Sequence, residues 1–580
     1  MLIRYLKPFL LLCILATTFA CYLPGLTGHF IFDDSVNIGK NTHLKIDALD
    51  IPSLWQAASS GTAGPLKRPI SMLSFAVNYY VAGMDAYYFK LTNLGIHLIN
   101  GILIFMFSKL LLNLHLRINK TTASNDNAAF WTALAIATIW LLHPFNLTGV
   151  LYVVQRMTSL AALFTLIGLV LYLYGRKQLL DGGKSGFIAI AAAIFVATPL
   201  AVLSKENGAL LPLLIFAIEM ILLRWNSTSQ STRRMLVALV GFSAVVPILL
   251  GIFYIINNPG LILGGYMVRD FSLAERLMTE ARVLWFYLHM IVMPSMGELG
   301  LHHDDIEISR SLFLPWTTLP AIFGLLLLAG GAWVLRNKQP IITFGIAFYL
   351  IGHMMESTII PLEMAFEHRN YLPMLGILLP LAYYALNPGI HLPSLRLRRI
   401  SFLVMIILFT SLTVSRAQQW GDSLMMRMME VERHPHSVRA NTDIAGLYDH
   451  MPPLSSEDAV DLYNKAVFHY QQAADVAPAN TSGLFGLLVV NAERGIPINP
   501  ELIELLEHRL ATVPLGSPNL NSIIGTARCI AEGDCSVNQN ITNRIYRAAL
   551  SNPTLTIRNK NLLISEFSQL PLEVQPRIKM

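Results

Sequence analysis

Uninterrupted apolar stretches recur along most of this chain, and no other feature constrains its fold as tightly. Segments long enough to span a bilayer lie at about 8–24, 89–113, 129–147, 157–175, 187–204, 208–224, 235–256, 316–335, 341–360, 371–386 and 400–416. Each approaches the ~20 residues that a crossing helix needs. The 580 residues are 54% hydrophobic and only 13% charged, where a soluble domain carries roughly a quarter charged residues. The expected fold class is therefore all-α. It is a polytopic membrane bundle of about eleven transmembrane helices, followed by a small helical domain.

Basic residues orient the bundle. Arg4 and Lys7 precede the first apolar run, which is long for a cleavable signal and reads as a retained signal anchor. Arg117 with Lys120, Arg176 with Lys177 and Lys184, Arg224 with Arg233 and Arg234, Arg336 with Lys338, and Arg396 with Arg398 and Arg399 follow alternate spans. All fall on one side if the N-terminus is cytoplasmic, as the positive-inside rule requires. The short apolar stretch 283–293 stops at Pro294 and is read as re-entrant or interfacial, which preserves that parity. The outer face then carries the loop 25–88, residues 148–156, the turn near Lys205, residues 257–315 and 361–370, and everything beyond about 417.

After Trp420 the apolar runs shorten and charge increases. Helical patterns there end at Pro435, Pro478, Pro514 and Pro553, a spacing close to that of helix-pair repeats. Two domains are expected: 1–417 in the membrane and 418–580 outside it. Cys529 and Cys535 lie close together in this second part, where a local disulfide is compatible with an oxidising compartment. The net charge of +6 is spread over short loops with no basic, aromatic-studded face, so no nucleic-acid partner is expected. No Gly-rich P-loop is present.

The adjacent pair Asp33–Asp34 stands just beyond the first span. Charges at such a depth must be hydrated, paired or bound to a metal. Cations sit at other outer helix ends: Arg68, Arg156, the Lys205–Glu206 pair, and Glu367–His368–Arg369. A carboxylate can take the proton of a hydroxyl acceptor, and arginine holds phosphate through a planar fork of donors. Such a constellation suits an anionic, lipid-linked substrate meeting a hydroxyl. His97 reads as a bonded structural histidine, and His302–His303–Asp304–Asp305 as a solvated loop, because its adjacent residues cannot all face one ion.

These residues resemble those of a known family. Phe32–Asp33–Asp34, Arg68–Pro69, Leu73–Ser74–Phe75, Asn78–Tyr79, Asn93, His97, His143–Pro144, Gln155–Arg156–Met157–Thr158–Ser159–Leu160, Leu203–Ser204–Lys205–Glu206 and Arg369–Asn370–Tyr371–Leu372–Pro373 follow the order seen in TMTC-type O-mannosyltransferases. The resemblance implies a GT-C-like membrane domain followed by tetratricopeptide-like repeats. It also implies a glycosyltransferase using a polyprenyl-phosphate sugar donor and a periplasmic protein or glycan acceptor. By position, Asp33 or Asp34 becomes the base or a ligand to a divalent metal. Arg68, Arg156, Lys205, Glu206, His368 and Arg369 become the lipid-phosphate site. The chain is read as a bacterial relative in the inner membrane, with its repeats in the periplasm. Two other readings fit the same pattern: an O-antigen ligase or oligosaccharyltransferase built on Glu367–His368–Arg369, and a non-enzymatic transporter or scaffold with a periplasmic adaptor.

Overall fold

The computed structural model describes residues 2–119, 126–387 and 394–576; Lys120, counted above among the inner-loop charges, lies outside them. The described chain is helical throughout and contains no strand. Eight of its helices are long and apolar enough to cross a membrane. A ninth is added if Asp126–Leu141 and Pro144–Leu151, bent by 54° at the break between them, form one span. The bend has a local cause. His143 precedes a proline and adopts an extended backbone (ψ 126°), because the pyrrolidine ring disfavours helical geometry in the residue before it.

The expected eleven spans are thus eight or nine by length and composition. The two remaining apolar segments form helices Pro340–His353 and Leu375–Leu386, of 14 and 12 residues. At 1.5 Å per residue they reach about 21 and 18 Å, short of a hydrocarbon core of about 30 Å. The chain between them leaves helical geometry and carries polar residues into the protein. The 283–293 stretch is the second half of a continuous helix, Leu273–Val292. Its first half carries Glu275, Arg276 and Glu280 and opens with a Ser272–Glu275 capping box.

A second correction concerns Arg176. It is not a loop charge, because its helix, Arg156–Leu180, runs on past it. Its guanidinium is fully buried against Glu219, which also accepts a hydrogen bond from Tyr172. Lys177 lies in the last turn of the same helix, and Lys184 remains as the basic residue of the loop after it.

One large apolar core unites the membrane helices and ends at Met426, while the helices beyond it close over two smaller cores of their own. Helices Val438–His450, Ser456–Val476 and Ser482–Glu493 pack on one another, and beyond them contacts run mainly between alternate helices: Ser482–Glu493 with Ser517–Glu532, Pro500–Thr512 with Gln539–Ser551, and Ser517–Glu532 with Ile557–Ser568. Asparagines tie the turns together. Asn519 donates to the carbonyls of Ala479 and Pro514, and Asn552 to those of Leu510 and Val513. Cys529 and Cys535 are joined as a disulfide.

The 302–305 loop is not the solvated segment expected. His302 and His303 are buried. Asp304 accepts from the Ser437 hydroxyl and the Arg439 N–H, and Asp305 pairs with His434 at 2.8 Å. From the other side, Glu430 accepts the N–H groups of Leu301 and His302. The loop is the clasp that fastens the C-terminal helices to the membrane bundle.

Candidate active site

The two adjacent aspartates have separate surroundings. After the first span the chain turns at Phe32 through a left-handed backbone conformation (φ 44°), which a bulky residue holds only where its surroundings enforce it. Asp34 supplies that enforcement. It is fully buried; one carboxylate oxygen accepts the Ile31 N–H at 3.1 Å and the other the Val154 N–H at 2.7 Å. Burial pushes its carboxyl up to about 7 against the pull of those bonds. Asp33 remains exposed to solvent, and its backbone N–H donates to the Tyr152 hydroxyl at 3.1 Å. The protein packed around its carboxyl raises it above the ordinary aspartate value, while Arg439 and the Tyr152 hydroxyl pull it back.

The cations gather at the same end of the bundle. Arg68, itself in a left-handed conformation (φ 50°) just before Pro69, pairs with Glu206 at 2.9 Å. Lys205 pairs with Glu356 at 2.6 Å and donates to the Thr158 hydroxyl at 3.1 Å. Burial would raise the Glu356 carboxyl, but Lys205 and Arg369 hold it below the usual glutamate range. Arg369 caps the Met364 and Glu363 carbonyls at 2.8 and 2.7 Å and lies 3.9 Å from Glu280, the partner of Arg276. His368 stacks on Phe366 at 5.1 Å and meets Tyr152 edge-on at 6.4 Å. Burial, and then the positive charges of Lys205, Arg369 and Arg68, depress its pKa well below the ordinary histidine value. The imidazole is neutral and stands between the aspartate turn and the cations.

Arg156 is not brought to this cluster in a usable form. Its guanidinium is fully buried. It donates to the Asn93 and Asn78 side chains and to the Ser74 and Phe89 carbonyls, with the Phe75 ring at 4.7 Å. It ties three helices together, with four of its five N–H donors spent inside the protein and the whole side chain buried. Glu206 orients Arg68; as an anion, it would not itself hold phosphate.

A cleft opens beside the cations between the helices Arg156–Leu180, Leu211–Ala217 and Pro340–His353. Its volume is about 30 Å³. Its polar end is lined by Thr158, Asn207 and Arg369, and its remainder by apolar residues such as Ala161, Leu214 and Phe348. The Asn207 side-chain oxygen Oδ1, in a residue that lines this cleft, is buried without a hydrogen-bond partner.

The residues do not fit a divalent metal at the aspartate turn. Both Asp34 oxygens are occupied by backbone N–H groups, leaving Asp33 as a single carboxylate. Among the described residues, the only converging trio of ligand types is Glu493 with Cys529 and Cys535, and those two sulfurs are bonded to each other.

No protein-family model and no solved structure matches the chain. Among curated proteins, the mouse "Protein O-mannosyl-transferase TMTC1" is 29% identical over 201 residues, which is 32% of this chain and 19% of that protein. The human "Protein O-mannosyl-transferase TMTC4" is 28% identical over 197 residues, 32% of this chain and 26% of that protein. Over about a third of its length the chain is similar to TMTC-type protein O-mannosyl-transferases. The match spans well under two thirds of each relative's length.

Sequence reasoning missed Tyr152, Thr158 as a Lys205 partner, Glu356 and Arg439. Glu356 left a signal: it is a lone acid at the end of an apolar stretch, where a charge needs a partner. Arg439 left none, since it lies in a helix of ordinary surface composition.

Proposed function

We propose that this chain is a membrane glycosyltransferase that moves a sugar from a polyprenyl-phosphate carrier to a hydroxyl on a protein or glycan. The reading rests chiefly on one observation: Arg369 lines an apolar cleft between membrane helices beside Thr158, the hydroxyl that Lys205 bonds, and Arg68 is close enough to Lys205 for their charges to interact. Such a junction suits the phosphate end of a lipid-linked ligand, whose hydrocarbon tail would lie along the membrane-facing helices, because the cleft of about 30 Å³ is too small to hold it. The solvent-open carboxylate of Asp33 lies one Tyr152–His368 step away.

In this mechanism, Asp33 accepts the proton of the acceptor hydroxyl as its oxygen attacks the anomeric carbon. The bond from that carbon to the phosphate oxygen breaks, and the lipid phosphate leaves as an anion. No acid is needed for a leaving group already stable as an anion, so one free carboxylate suffices; glycosidases need two. The cations stabilise charge that grows on the leaving phosphate. Glu206 and Glu356 hold Arg68 and Lys205 in place, so little reorganisation accompanies the reaction.

The remainder of the reading follows from topology. Residues 1–417 form a GT-C-like transferase unit. Residues 418–580 form a tetratricopeptide-like array on the periplasmic side of a bacterial inner membrane, with the N-terminus cytoplasmic. The Cys529–Cys535 disulfide favours that side.

The test is reconstitution of the full chain in liposomes with labelled polyprenyl-phosphate mannose, with a nucleotide-sugar as the competing donor. Label should pass from the lipid-linked donor to a hydroxyl-bearing acceptor, and not from the nucleotide-sugar. Transfer from the nucleotide-sugar alone would overturn the reading.

A further inference from the structure

A residue of the C-terminal helices lies against the aspartate turn, and its charge reaches Asp33. Arg439 opens the helix Val438–His450. Its guanidinium sits 5.1 Å from the ring centroid of Phe32, the residue before Asp33. One of its nitrogens bonds Glu363 at 3.1 Å, and Glu363 also receives Arg269 at 2.6 Å. Its backbone N–H donates to Asp304 at 3.2 Å, within the clasp loop. Arg439 and Glu363 also line a cleft of about 170 Å³ at the seam, between the 268–271 and 303–308 loops on one side and Asn480 and Gly516 on the other. The whole arrangement is anchored on both sides by buried or bonded groups, so it is not a stray surface contact.

We infer that Arg439 is a positioning residue for Asp33, and that the transferase site is therefore complete only when the C-terminal helices are clasped to the membrane bundle. The inference deepens the proposed function and rests on it. A cation over Phe32 steadies the strained turn through the ring face and favours the ionised form of the neighbouring carboxylate. Glu363, shared between two arginines, keeps Arg439 from swinging into a full ion pair with Asp33, which would block the proton the base must take. Every charged or titratable group facing Asp33 bears on this balance: Tyr152 from the 152–155 loop, Asp34 from its own turn, Glu363 from the 361–366 segment and Arg439 from the C-terminal helices. His302 packs edge-on against Phe32 at 5.2 Å and is held neutral by burial, with Arg439 adding to that effect.

The experiment is the pH profile of sugar transfer by the reconstituted full chain carrying Arg439→Gln or Arg439→Lys, beside wild type. Loss of the cation should move the acid limb of the profile to higher pH. Turnover below the inflection should fall about three- to tenfold, and turnover on the alkaline plateau should be largely kept. Arg439→Lys should restore most of the wild-type profile. If Arg439→Gln is merely less stable, its rate will drop equally at all pH values and the inference fails. A wild-type profile in Arg439→Gln would also overturn it. Absence of transfer by wild type from the lipid-linked donor would instead reject the proposed function itself.

Discussion

The aspartate turn and the cation cluster solve opposite problems. At residues 31–34, one acid is fixed by two backbone N–H groups so that its neighbour can stay open to solvent. Around Lys205 the cations are not left free. Each is paired or bonded in advance, Arg68 with Glu206 and Lys205 with Glu356. In the proposed mechanism the base must be reachable, whereas the phosphate holders must be rigid and must survive burial while empty. Buried charges without partners cost several kcal/mol each, so a site for an anion carries its own counter-ions. The identical residue types at positions 33 and 34 thus have different duties, while the unlike residues of the cluster act as one unit.

The sharpest way to break this comparison is at Asp33. Asp33→Asn should lower sugar transfer by about 10²–10⁴-fold with little change in melting temperature, since an amide can keep the Tyr152 hydroxyl contact and, unlike Asp34, the Asp33 side chain accepts no backbone N–H. A fall in thermal stability equal to that of a core variant would contradict the division of duties.

Next in size are the cation partners. Glu356→Gln leaves Lys205 buried without its counter-ion and should destabilise the protein by about 3–5 kcal/mol, read by thermal unfolding in detergent. Lys205→Met with Glu356→Leu should recover much of that stability but not donor binding. Additive losses in the double variant would show that the two do not act as a pair.

Asp34→Asn comes third. An amide offers one acceptor where two N–H groups need one each, so it should cost about 1–3 kcal/mol and slow transfer only as far as the Phe32 turn loosens. Gly64→Ala should also weaken the cation cluster. Its backbone is left-handed (φ 76°), and an added methyl would sit 2.0 Å from a Glu206 oxygen. Donor affinity should fall more than turnover.

The smallest effect is the dependence on pH. Only ionised Asp33 can accept a proton, and its pKa is raised by the protein around it. The rate should therefore rise with pH through a value above that of an ordinary aspartate and then level off. A rate that falls with rising pH over that interval would contradict the base role.

Much of this was legible in the chain. Apolar length announced a helical membrane bundle, and the aspartate pair, Arg68, Lys205 and His368–Arg369 were readable as unusual charges at helix ends. Span count was less so, because an apolar run does not reveal where Met354–Phe366 abandons the helix to bring Glu356 and Glu363 inward. Nor could sequence separate Arg156 from Arg369. Both are arginines beside apolar helices, and only packing shows that Arg156 is consumed by Asn78, Asn93 and two carbonyls. The role of the 302–305 loop was hidden for the same reason. Its partners, His434, Ser437 and Arg439, lie more than a hundred residues away.

The central claim is that Asp33 performs chemistry while the Lys205 cluster holds the lipid phosphate. It is tested most directly by measuring binding of labelled polyprenyl-phosphate mannose to Asp33→Asn in liposomes, alongside its turnover. The account predicts wild-type donor affinity with transfer reduced by at least about a hundredfold. Transfer at the wild-type rate, or loss of donor binding in step with loss of transfer, would contradict it.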